Sequence, residues 1–225
     1  MLILYHIFVL SNKSNEITFE KEKIVIASKR GGTSGIGINT YFNGGFVFDI
    51  GIKNEKDLLV PSSIANRRNK KPLVIYNGKT PDWEIGICIP KRIKNKSEQE
   101  EVEFFNENCP IDKSYVNETL YEALYGTTSA IIENDLKTFC KSVNRIQRTR
   151  WKILERSQYG QSLIELENRI RNLGADCVGM SSFGPTLFFL GENIKKIIIE
   201  LNLESTDIIC YSSKMNNSGR VLTYA

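Results

Sequence analysis

Between Arg30 and Gly37 the chain reads RGGTSGIG, with four glycines set around two small hydroxyls behind an arginine. Glycine lets the backbone turn its amide N–H groups toward a common point. With the hydroxyls of Thr33 and Ser34, such a cluster makes a concavity suited to phosphate. A helix starting after it would add the favourable partial charge of its N-terminus. The chemistry these residue types allow is capture of a polyanion, with a Gly-rich structural turn as the alternative. The spacing fits neither a Walker loop nor the dinucleotide-binding pattern. Asp49 lies in FVFDIGI, Phe46 to Ile52, a near-continuous apolar run that predicts a buried strand. Its carboxylate serves either as a hydrogen-bonded turn or ladder partner, or contacts a substrate or metal. A second stretch, GMSSFGPT, lies at Gly179 to Thr186.

Other chemistries are excluded or disfavoured by composition. The 225 residues hold one histidine, His6, and it sits inside an apolar run, which speaks against a His-based metal site or catalytic triad within this chain. Five cysteines, Cys88, Cys109, Cys140, Cys177 and Cys210, are odd in number, widely spaced and without a C-x-x-C pair. They read as reduced, mostly buried thiols of a cytoplasmic protein, not as a disulfide framework or zinc site. Hydrophobic content of 41%, charged content of 25% and a net charge of +4 describe a globular protein that favours anionic ligands without demanding nucleic acid. The opening LILYHIFVL is too short to span a bilayer and lacks a basic leader and a small-residue cleavage site. It reads as a buried helix or strand, and no membrane partner is expected.

The elements that must position these residues follow from pattern. Thr18 is a candidate N-cap for a helix running to Ser28. ANRRNKKP, from Ala65 to Pro72, is a basic loop; it reads as a solvated face, with phosphate steering by Arg67 and Arg68 as the sharper alternative. WEIGICIP, Trp83 to Pro90, predicts a strand. Residues 94 to 108, with Glu98, Glu100, Glu101 and Glu103, read as a mobile connection continuing into a helix and as the candidate lid or domain seam. From Ser114 to about Arg156 the period is helical, with Lys137, Lys141, Arg145, Arg148, Lys152 and Arg156 on one face, read as solvated surface, with nucleic-acid docking as the minor alternative that the missing aromatic interleaving and modest charge disfavour. Gln161 to Leu173 predicts an amphipathic helix stopped by Gly174. Two short apolar runs flanking SFGP, a helix from about Glu192 to Leu201 and the strand DIICYSS complete the order. That order predicts an α+β sandwich, with helices on one face of an antiparallel sheet.

With both glycine-bearing stretches placed, the chain resembles the GHMP superfamily of small-molecule kinases. Within it, the beta-ribofuranosylaminobenzene 5'-phosphate synthase family is closer. The carriers are RGGTSGIG at Arg30 to Gly37, GGFVFD at Gly44 to Asp49, PDWEIGICIP at Pro81 to Pro90 and SSFGPT at Ser181 to Thr186, which span almost all of the chain. The resemblance implies a two-domain α+β GHMP kinase-like fold. Residues 1–80 would be the remnant of an N-terminal domain carrying the Gly-rich phosphate loop, and residues 81–225 the C-terminal α+β domain. The family's earlier PxxxGLGSG loop has no counterpart in residues 1 to 29, so the N-terminal domain is expected to be incomplete. The histidine of the family's GGH continuation is also missing, because Ile50-Gly51-Ile52 follows Asp49.

The implied reaction joins phosphoribosyl pyrophosphate to 4-hydroxybenzoate or 4-aminobenzoate, with loss of carbon dioxide and pyrophosphate, on the archaeal route to tetrahydromethanopterin. The resemblance then implies Arg30, Gly31, Gly32, Thr33, Ser34 and Gly35 at one phosphate, and Ser181, Ser182 and Gly184 at the other. Mg2+ would be carried on the pyrophosphate oxygens, Asp49 would reach a metal-bound water or a ribose hydroxyl, and a homodimer is a candidate assembly. The kinases of the superfamily place an aspartate where this chain has Gly37, and glycine cannot accept or orient a proton. An ATP-dependent small-molecule kinase is therefore the alternative enzyme, and a noncatalytic binding protein the alternative outside catalysis.

Overall fold

The computed structural model describes residues 25, 34–51 and 72–221. The opening apolar run with His6, the Thr18 cap, Arg30, Gly31, Gly32 and Thr33, and the basic loop with Arg67 and Arg68 lie outside the described residues. The chain divides into two compact units, Met1–Asn77 with Ser218–Ala225, and Gly78–Asn217. The sequence reading put a boundary near residue 80 and offered residues 94 to 108 as a further candidate seam; that segment lies inside the second unit, and the C-terminal residues return to the first.

In the first unit, helix α1 (Ile36–Asn43) follows Gly35 directly and ends at Gly44. Gly44 and Gly45 take φ of 68° and 73°, which stops the helix and turns the chain into strand β1 (Phe46–Asp49). Strand β1 pairs with β2 (Val74–Gly78). Strand β1 is shorter than the apolar run because Asp49 Oδ1 accepts from Gly51 N at 2.9 Å, closing a local turn. The returning C-terminal segment docks on α1. Arg220 N donates to Tyr41 O at 2.8 Å, and its guanidinium lies 4.6 Å from the Phe42 ring centroid.

The second unit begins with β3 (Glu84–Pro90), followed by α2 (Glu98–Asn108), α3 (Lys113–Tyr121), a π-helical stretch (Glu122–Thr128) and α4 (Ser129–Glu133). Next come α5 (Leu136–Ile146), α6 (Arg150–Ser157), α7 (Gln161–Asn172), β4 (Cys177–Met180), β5 (Leu187–Leu190), α8 (Ile194–Glu204) and β6 (Ile208–Lys214). The acidic 94–108 segment is anchored at the start of α2 by a capping box in which Ser97 and Glu100 satisfy each other's backbone N–H. The long helical pattern from Ser114 breaks at Asn134, whose φ of 57° ends α4, and Asp135 then caps α5 by accepting from Thr138 N.

The sheet order is β4-β5-β3-β6, and every neighbouring pair is antiparallel. Helices α7 and α8 cover one face, packing Leu163, Ile170, Ile197 and Leu201 onto Cys88, Phe189 and neighbouring sheet residues. Helical cover is not confined to that face as the sequence pattern predicted. Every residue of β4 is buried, and Cys177, pointing away from Val178, hydrogen bonds with Cys140 of α5. Two glycines make room for rings across the sheet. A Cβ on Gly86 would fall 2.2 Å from the ring of Phe189, and one on Gly179 would fall 2.4 Å from the ring of Phe188. Each ring thus fills the space its cross-strand partner leaves open.

Side chains cover the sheet edges, which would otherwise present unpaired backbone groups. Along β4, Asn144 donates to Asp176 O, Arg171 to Val178 O, and Gln147 Oε1 accepts from Met180 N. Along β6, the amide of Asn202 donates to Cys210 O at 2.8 Å and accepts from Cys210 N at 2.9 Å. The β4 edge is backed by a buried ion network in which Glu167 accepts from Arg156 and Arg171. Three members of the expected basic face, Arg145, Lys152 and Arg156, are thereby engaged with Glu122, Glu155 and Glu167.

Candidate functional site

The first unit holds the described part of the Gly-rich stretch. Asp49 Oδ2, at the end of β1, accepts from Ser34 Oγ at 3.0 Å and from Gly35 N at 3.1 Å. Ser34 Oγ in turn accepts from Ile36 N at 3.3 Å, at the first turn of α1. One carboxylate therefore fixes the backbone that leads into the helix, and its other oxygen holds Gly51. Of the two roles the sequence allowed Asp49, this geometry displays the hydrogen-bonded turn partner. Gly37 lies within α1, and an added Cβ there would meet nothing within 4 Å. Space does not require glycine at that position.

The second unit holds the SSFGPT turn, which joins β4 to β5. Ser181 N donates to Thr186 O and Gly184 N to Ser181 O, each at 2.9 Å, closing the loop on itself. Ser182 takes φ of 51° and Gly184 φ of 89°, so two of its residues sit in the left-handed region. Such a conformation is uncommon for serine and persists where surrounding contacts impose it. Those contacts are visible. Lys152 Nζ, on α6, donates to Ser182 O at 2.9 Å while ion-paired with buried Glu155. Tyr159 Oη donates to Phe183 O at 2.6 Å. The ring of Phe183 lies 5.0 Å from that of Phe104 and 6.4 Å from that of Phe105, and Trp151 packs on the same two phenylalanines.

A Cβ on Gly184 would meet Met180 Sδ at 2.5 Å and Tyr159 at 2.9 Å, so both conformation and space require glycine there. Ser181 and Ser182 are exposed, and among the described residues neither hydroxyl has a side-chain or backbone partner. A rigid turn that presents two uncommitted hydroxyls beside a lysine can accept a phosphate oxygen. Burial also shifts two groups behind it. The Glu101 carboxyl is raised by burial and by the nearby charge of Glu155, and the Tyr159 hydroxyl is raised chiefly by burial.

Ser34, Gly35 and Asp49 thus share one unit, while Ser181, Ser182 and Gly184 share the other. Lys152 and Tyr159 were missed as site-supporting residues. Lys152 belongs to a periodic basic face, and nothing in its spacing distinguishes it from Lys137 or Lys141. Among the described residues no group of three or more His, Cys, Asp or Glu side chains could hold a metal ion, and no helix is long and apolar enough to cross a membrane.

No family model matches the chain. Three curated archaeal proteins do align with it, each named beta-ribofuranosylphenol 5'-phosphate synthase. That of Methanothermobacter thermautotrophicus is 36% identical over 160 residues, covering 71% of this chain and 48% of the relative. That of Archaeoglobus fulgidus is 38% identical over 165 residues, covering 73% and 50%. That of Methanocaldococcus jannaschii is 33% identical over 175 residues, covering 76% and 51%. Over this shared region the chain is a homologue of the synthases. It spans about half the length of the curated relatives it matches.

The fold agrees with the superfamily in which those synthases were placed from sequence. A homoserine kinase from Cytophaga hutchinsonii superposes with a TM-score of 0.59 at 16% identity, covering 90% of this chain and 60% of that one. A mevalonate diphosphate decarboxylase from Staphylococcus aureus gives 0.55 at 12% identity, covering 89% and 60%. At these identities the likeness establishes the α+β GHMP kinase-like fold and nothing about substrates.

Proposed function

We propose that the protein containing this chain is a phosphoribosyl-transferring synthase, acting on phosphoribosyl pyrophosphate and 4-hydroxybenzoate or 4-aminobenzoate with loss of carbon dioxide and pyrophosphate. The observation that carries this reading is the 33–38% identity to three curated beta-ribofuranosylphenol 5'-phosphate synthases. A cytoplasmic place in tetrahydromethanopterin biosynthesis goes with it. In this reading Ser181, Ser182 and Gly184 contact one phosphate group, and Arg30, Gly31, Gly32, Thr33, Ser34 and Gly35 another.

What the described residues contribute is binding and orientation. The hydroxyls of Ser181 and Ser182 offer donors to anionic oxygens, and donors fixed in advance stabilise charge that develops on a departing pyrophosphate. Lys152 and Tyr159 hold the turn that carries those donors. Asp49 is assigned to positioning Ser34 and Gly35. Magnesium would supply charge neutralisation on the pyrophosphate. The described side chains do not make a ligand set that fits the ion without the substrate's oxygens.

The test is benzoate-dependent release of pyrophosphate and carbon dioxide from phosphoribosyl pyrophosphate with magnesium. It is run on the purified chain and on the longest open reading frame that contains it. Release by either, reduced by Ser182→Ala, supports the synthase. Folded protein that releases neither product, or that instead transfers phosphate from ATP to a small alcohol, overturns it.

A further inference from the structure

Two buried thiols that the proposed reaction does not use face each other in the sheet. Cys88 on β3 lies directly opposite Cys210 on β6, and both belong to the core beneath α7 and α8. Antiparallel partners alternate between pairs that exchange both backbone hydrogen bonds and pairs that exchange none. The Asn202 side chain settles which kind this is, because it takes both the N–H and the C=O of Cys210 from the outer side of β6. The backbone groups of Cys210 therefore point away from β3, and the pair is of the non-hydrogen-bonded kind. In such pairs the Cα atoms stand about 4.5 Å apart and the side chains are at their closest. That spacing lies at the short end of the range a disulfide spans, about 4.4–6.8 Å.

We infer that Cys88 and Cys210 are a latent dithiol, which a small-molecule disulfide converts into a cross-strand disulfide tying the edge strand β6 to β3. The two sulfurs are not equivalent. Cys210 sits on the edge strand, and the hydrogen bond from Cys88 lowers its thiol, partly against burial; Cys88 is raised by that same bond and by burial. Cys210 is thus the attacking sulfur. Its thiolate displaces one thiolate from the reagent disulfide and forms a mixed disulfide. The Cys88 sulfur then attacks the Cys210 sulfur, its proton passing to the second departing thiolate. Two protein thiols and one reagent disulfide become one protein disulfide and two reagent thiols. The new link closes a loop of about 120 residues, which restricts the unfolded chain and raises the thermal midpoint of the second unit.

The experiment incubates the folded chain with oxidised dithiothreitol or oxidised glutathione, alkylates remaining thiols under denaturing conditions and maps the digest by mass spectrometry. The expected product is a Cys88–Cys210 linked peptide, the loss of both from the alkylated set, and an upward shift in melting temperature that reduction reverses. Cys210→Ser, checked for folding by circular dichroism, is expected to leave Cys88 fully alkylatable. Full alkylation of Cys88 and Cys210 after oxidation overturns the inference, as does linkage of either to a different cysteine or to a second molecule.

Discussion

Asp49 Oδ2 lies 3.0 Å from the hydroxyl of Ser34 and 3.1 Å from the amide of Gly35, so the end of β1 holds the start of α1 through a single carboxylate oxygen. Asp49→Ala removes the acceptor of three hydrogen bonds at a partly exposed position. The expected cost is about 1 kcal/mol. Hydrogen exchange should quicken at Gly35 and Gly51 while the second unit keeps its protection. Unchanged exchange at both amides would sink the assignment of Asp49 as the anchor of this turn.

Lys152 and Tyr159 impose the left-handed conformation of Ser182 by holding the carbonyls of Ser182 and Phe183. Within the proposed synthase, Lys152→Met is expected to raise KM for phosphoribosyl pyrophosphate about tenfold or more, since small displacements of positioned groups are costly. The effect on KM for the benzoate should be small, and Lys152→Arg should restore part of the loss. Equal changes in both KM values would point to general destabilisation instead.

Glu167 is buried between two guanidinium groups, accepting from Arg156 Nη1 at 3.0 and 2.8 Å and from Arg171 Nη2 at 2.8 Å. Neutralising it leaves two cations without their counter-charge, so Glu167→Gln should cost about 3–5 kcal/mol. Urea unfolding of the variant measures this. A loss of less than about 1 kcal/mol, the level of a surface ion pair, would show the network to be solvated.

Gly86 and Phe189 are complementary in volume. Gly86→Ala drives a methyl group into a fully buried ring and should destabilise by about 1–3 kcal/mol. Phe189→Leu is destabilising by itself, yet the double variant should be more stable than the sum of the two losses allows. Strict additivity in thermal unfolding would contradict the packing described.

The carboxyl of Glu100 is lowered to about 2 by the Ser97 backbone N–H and then by Lys96 and the Ser97 hydroxyl. A carboxylate held below its unfolded value stabilises the fold above that value. Its contribution should therefore fade as pH falls from about 4.5 toward about 2, and the start of α2 should fray over that window. The carbonyl resonance of Glu100, followed by NMR titration, reads this directly. A midpoint near the ordinary glutamate value would show the capping box to be open in solution.

Local pattern determined much of this protein. The strand in WEIGICIP, the helix from Gln161 with Gly174 beyond its end, the turn at SFGP and the strand in DIICYSS can each be read from alternation, periodicity and turn residues, because those signals depend on neighbours a few positions away. The motif order likewise makes the GHMP kinase-like fold legible in the sequence. Tertiary structure alone decided which element meets which. Periodicity marked Lys152 and Arg156 as one polar face, but only packing separated them from Lys137 by bringing Ser182 O to one and Glu167 to the other. The five cysteines carry no spacing that pairs them, and it is the register of β3 against β6 that sets Cys88 opposite Cys210. Pattern leaves Asp49 open as ligand or anchor, and only the fold shows that Ser34 and Gly35 lie within reach of one of its oxygens. A residue's partners are chosen by chain segments far away in sequence, and no local window records them.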